Sequence, residues 1–139
     1  MYELIRNFPP VPRPPLNRPT DAEVAVLRVL WDRGPSTVRQ VHHALHPARD
    51  AGYTSVLKIM QIMFEKGLVS RDEANRSHVY RAAVPREHTQ RQIVGDLLER
   101  VFGGSARALV LQALSARRAG PEELAEIRKL LDEFEGGQR

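Results

Sequence analysis

The stretch YTSVLKIMQIMFEKGLVSRD (53–72) decides how this chain reads. Val56, Ile59, Met60 and Met63 recur at three- and four-residue intervals, the period of one helical face, which predicts a helix over 54–66. Thr54, Ser55, Lys58, Gln61 and Glu65 fall on the other side of that helix. Gly67 stands where helices commonly end in a left-handed residue. The period then changes. Residues 68–72 and 77–81 have the alternation of short strands, and Glu73, Ala74, Asn75 and Arg76 between them have the polar content of a hairpin tip.

Working back toward the start, Thr20 and Glu23 have capping-box spacing ahead of Val24, Leu27, Leu30 and Trp31, which predicts an amphipathic helix over 21–32. Gly34-Pro35 ends it, and Ser36 is placed to cap a second helix over 37–46 with Val38, Val41 and Leu45 inward. Residues 47–52 read as a loop. Ahead of Thr20, residues 8–19 hold six prolines, a composition read as an extended or disordered leader over 1–19. Three helices followed by a two-stranded hairpin is the layout of a winged helix, assigned to 20–84.

Beyond Pro85 the chain returns to helical periods over 87–101, 105–118 and from Pro121 onward, separated by Gly103-Gly104 and by residues 119–120. Three short amphipathic helices cannot easily bury all their apolar faces within one subunit, so 85–139 reads as a helical dimerisation domain. Leu97, Val101, Leu109, Leu114, Ile127 and Leu131 are its candidate interface residues. The predicted class is therefore mostly α: an N-terminal winged helix-turn-helix with a three-helix C-terminal domain.

Composition narrows the chemistry. The chain has 139 residues and no cysteine, which excludes disulfides, thiolate metal sites and cysteine nucleophiles. No stretch approaches the ~20 apolar residues of a membrane span, so no membrane insertion is expected and the protein reads as cytoplasmic. The pI is about 10.0. Residues 1–84 carry 12 Lys/Arg against 8 Asp/Glu, and residues 85–139 carry 9 against 9. The positive excess is thus confined to the part with the hairpin, where a polyanion would bind.

A helix entering the major groove must show small polar and cationic side chains. Thr54 and Ser55 stand at the helix start, Lys58 can reach a guanine edge or a phosphate, Gln61 can pair with adenine, and Leu57 can touch a thymine methyl. Arg76 and His78 flank the hairpin tip, and Lys66 and Arg71 are candidate backbone contacts. Tyr53 offers a hydroxyl for phosphate or a ring for packing. An ordinary solvated face would usually carry more charge and would not hold Leu57 and Ile62.

Four segments resemble one known family: TDAEVAVLRVLWDRGPSTVRQVHHAL (20–45), YTSVLKIMQIMFEKGLVSRD (53–72), RSHVYRAAV (76–84), and LLERVFGGSARALVLQAL (97–114) followed by PEELAEIRKLLDEFE (121–135). In order and spacing the chain looks like the penicillinase and methicillin-resistance repressors. The resemblance implies a homodimeric repressor on a partially palindromic operator, typically with TACA and TGTA half-sites. Thr54, Ser55, Leu57 and Lys58 match that family's contacting positions. It also implies inactivation through a membrane-bound metalloprotease sensor, with a cut in the segment similar to LVLQAL, at Gln112 and Ala113. Copper sensing in some relatives uses C-terminal cysteines, which this chain lacks.

Other classes fit less well. His42 and His46 have i, i+4 spacing, but two nitrogens without a third ligand make a poor metal site, so no metal and no cofactor are expected. With no phosphate loop and no nucleophile elbow, an enzyme is not expected. The alternative to operator binding is a winged-helix module for protein association, which the hairpin cations and the charge asymmetry disfavour.

Overall fold

The computed structural model describes residues 19–46 and 52–137. The leader up to residue 18 and most of the 47–52 loop lie outside the described residues. Among the described residues there are six helices and one three-stranded sheet. The chain divides into two compact units, one ending at Ile93 and one starting at Val94.

In the first unit, α1 (Asp21–Arg33) begins with the expected capping box. The Thr20 hydroxyl accepts from the Glu23 N–H at 3.2 Å and the Glu23 carboxylate accepts from the Thr20 N–H at 2.8 Å. Gly34 at φ 87° closes the helix, its N–H donating to Leu30 O. The next cap differs from expectation. Thr37, not Ser36, caps α2 (Val38–Leu45), because only Thr37 has a glutamine three residues on; Gln40 returns its side chain to the Thr37 N–H at 2.9 Å. Ser36 is buried, and its hydroxyl donates to Gly34 O.

Helix α3 (Tyr53–Lys66) starts one residue earlier than predicted, so Tyr53 lies within its first turn. Gly67 ends it in the left-handed conformation at φ 83°. Strands β2 (Val69–Asp72) and β3 (Val79–Ala82) form the antiparallel hairpin, with Arg71 opposite Tyr80. A further strand, β1 (Ser36–Thr37), pairs with β3 and makes the sheet order β1-β3-β2. Two residues carry no period, which is why this strand does not show in the sequence.

The core gathers Val26, Leu27 and Leu30 from α1, Val38 and Val41 from α2, Val56, Met60 and Met63 from α3, and Leu68, Val69 and Tyr80 from the hairpin. Val24 and Trp31, expected inward, are only partly buried. Trp31 instead donates from Nε1 to Val84 O at 2.9 Å. Its neighbour Asp32 pairs with Arg86, whose guanidinium lies over the indole ring. These contacts, with buried Thr89, fix the start of α4 (Arg86–Arg100) within the first unit. The compact unit therefore runs past Val84, where the sequence reading ends its first domain, to Ile93.

The second unit contains the end of α4, then α5 (Ala106–Ala116) and α6 (Pro121–Gly137). Gly103 and Gly104 turn the chain at φ 56° and 82°. Ser105 caps α5 by accepting from the Ala108 N–H at 3.1 Å. Neither α5 nor α6 buries a residue. None of the helices is long and apolar enough to cross a membrane, among the described residues.

Candidate nucleic-acid interface

Local chemistry gives α3 two unlike faces. Val56, Met60 and Met63 are sealed in the core, and Thr54, Ser55, Lys58 and Gln61 are exposed on the other side. Beside that exposed side, α3 and the hairpin enclose a groove of about 320 Å³. Tyr53, Leu57 and Gln61 line it from the helix, and Arg71, Arg76 and His78 line it from the hairpin. Thr54, Ser55 and Lys58 lie on the same helix outside the groove lining.

Leu57 is half-buried and packs partly against the core, so its side chain serves the fold as well as the groove. Tyr53 is 44% exposed, with its ring set edge-on to His42 at 6.0 Å. Ile62 is exposed on the same helix. At the hairpin tip the Asp72 carboxylate accepts from the Ala74 N–H at 2.9 Å, which shapes the turn that carries Arg76. His78 Nε2 lies 4.0 Å from Glu73.

Arg71 is held from several sides. Its guanidinium stacks on the Phe64 ring at 4.0 Å, and Nη1 donates to the Tyr80 hydroxyl at 3.4 Å. Its Nε lies 3.4 Å from Glu73, yet without the alignment of a hydrogen bond. The Tyr80 hydrogen bond, more than the Glu73 carboxylate, raises its pKa above the ordinary arginine range against the effect of burial. Arg71 therefore stays charged while fixing the hairpin against α3.

Lys66 departs from the part expected of it as a backbone contact. It does not line the groove, and its ammonium sits 2.9 Å from both carboxylate oxygens of Glu23. An amine neutralised inside the fold is not free to meet phosphate. Conversely, Thr37 and Arg39 line the groove and were not among the expected residues. Arg39 is an exposed cation just after a helix cap, a signal overlooked because only the third helix and the hairpin were read for contacts.

Helices packed at an angle to a small antiparallel sheet, with a cationic groove between the third helix and the hairpin, define a winged-helix protein. The penicillinase repressor family matches residues 19–133. The chain belongs to that family. The transcriptional regulator BlaI of Mycobacterium tuberculosis is 35% identical over 123 residues, which span 88% of each chain. The methicillin resistance regulatory protein MecI of Mammaliicoccus sciuri is 19% identical over 113 residues, covering 81% of this chain and 92% of the relative. The penicillinase repressor of Staphylococcus aureus is 15% identical over 113 residues, covering 81% of this chain and 90% of the relative.

Proposed function

We propose that this chain is a transcriptional repressor that binds a two-fold symmetric operator as a homodimer in the cytoplasm, with one α3 in the major groove of each half-site. The observation that carries this reading is the division of α3: a face of Thr54, Ser55, Lys58 and Gln61 open to solvent over a face sealed in the core. Side chains of these types read base edges in the major groove. Arg71, Arg76 and His78 on the hairpin, together with Arg39, face the phosphates beside it. Repressor and regulator names among the relatives support the same reading.

Dimerisation is assigned to the helices after Ile93. Leu97, Val101 and Leu131 are 40%, 66% and 60% exposed in a single copy, and Leu109, Leu114 and Ile127 are half-buried. A second copy covering them is the simplest source of burial. Derepression is assigned to cleavage of α5 at Gln112 and Ala113 by a membrane-bound metalloprotease sensor. Both residues are exposed, and both lie inside a hydrogen-bonded helix that must open locally before a protease can act.

Selection of bound duplexes from a random pool, followed by titration across salt, tests the reading. A dimer that neutralises about 6 to 8 phosphates gives a log–log salt slope near −5 to −7. A flat salt response, or no enriched sequence, leaves a protein-association module instead. Lys58→Ala is expected to cost about 1–3 kcal/mol at the selected operator. Unchanged affinity there takes Lys58 out of the reading face.

A further inference from the structure

Glu23 and Lys66 form a nearly buried ion pair between the first turn of α1 and the last turn of α3. Lys66 Nζ lies 2.9 Å from both oxygens of Glu23. Glu23 is 4% exposed, and the same carboxylate also accepts from the Thr20 N–H. The capping box thus does more than start a helix. It holds the carboxylate in a fixed place by a backbone hydrogen bond, and that fixed carboxylate holds the far end of α3.

We propose that this pair is a positioning device for operator recognition: it sets the tilt of α3, and Glu23 and Lys66 are specificity residues that never touch DNA. The proposal rests on the DNA-binding reading above. Its physical basis is a lever. Met60, fully buried, lies midway between Thr54 and Lys66 in sequence. At ~1.5 Å of rise per residue, each end is about 9 Å from that pivot. A shift of ~2 Å at Lys66 therefore swings Thr54 and Ser55 by about the same distance, whereas hydrogen-bond distances vary by only about half an ångström. Loss of the strut would misalign the base-reading end and leave the charges that meet phosphate in place.

The competing role for Lys66 is a phosphate contact, and the two roles predict opposite signs. If Lys66 met phosphate, removing Glu23 would release a cation and strengthen binding to any duplex. If the pair is a strut, removing Glu23 weakens binding to the operator alone.

The test uses the full chain and the variants Glu23→Gln, Lys66→Met and Lys66→Arg. Each is titrated with the selected operator and with an unrelated duplex of equal length, across salt, below its unfolding transition. Glu23→Gln retains an acceptor for the Thr20 N–H and so keeps the helix cap. The expected result is about a tenfold loss of operator affinity for Glu23→Gln and Lys66→Met. Affinity for the unrelated duplex and the salt slope stay at wild-type values, and Lys66→Arg, which can still pair, keeps discrimination. A general loss of stability would lower binding to both duplexes together. The proposal is overturned if folded Glu23→Gln and Lys66→Met discriminate like wild type. It is also overturned if Lys66→Met weakens both duplexes with a slope smaller by about one while Glu23→Gln strengthens both. A wild-type chain that shows no operator preference refutes the DNA-reading proposal itself, a result separate from either.

Discussion

A fragment ending at Ile93 is expected to run as a monomer in sedimentation and to bind the full operator about 10²–10⁴-fold more weakly than the whole chain, because the second half-site no longer binds as an intramolecular event. The fragment keeps what its own fold needs. Its core residues run from Val26 to Tyr80, and the contacts that anchor α4, from Trp31 to Val84 and from Asp32 to Arg86, are retained. What it loses is a set of helices with no buried residue. Ile127, Leu130, Leu131 and Phe134 recur on one helical face of α6, and Leu130, Leu131 and Phe134 are 51%, 60% and 69% exposed. A fragment that sediments as a dimer would move the interface into the first unit.

Leu27→Ala is expected to destabilise the first unit by about 2–5 kcal/mol, read from the shift of its urea midpoint at unchanged slope. Leu27 has no solvent exposure, and its neighbours come from three helices and the hairpin, so the site cannot collapse around a smaller side chain. Against a total stability of about 5–15 kcal/mol for a typical domain, such a loss leaves little margin. Leu131→Ala supplies the contrast. Its side chain is exposed in a single copy, so the substitution should leave the first unit's unfolding unchanged and weaken self-association. A Leu27→Ala variant that unfolds like wild type would mean that the core tolerates the cavity by rearranging.

Much of the architecture was legible before any coordinates. Val56, Met60 and Met63 marked the inner face of α3 through their spacing, and all three are buried. The Thr20–Glu23 capping box and the left-handed Gly67 were readable because each depends on residues within four positions of each other. The second cap was misplaced by one residue, since Ser36 and Thr37 are both good caps and only the partner at Gln40 separates them. Arg39 entered the groove unannounced because a single exposed arginine on a short helix carries no pattern.

Helical period, cap spacing and charge segregation are written in short runs of residues, and they determined on their own the helices, the hairpin and the basic first part of this chain. Which cations remain open to a partner was decided by pairings between distant segments. Lys66 meets Glu23 across 43 positions, Ser36 pairs with Tyr80, and Trp31 reaches Val84 across 53. The physical reason is that a side chain's propensity acts over one or two turns, whereas its charge and hydrogen bonds are satisfied by whichever neighbour packing brings within 3 Å.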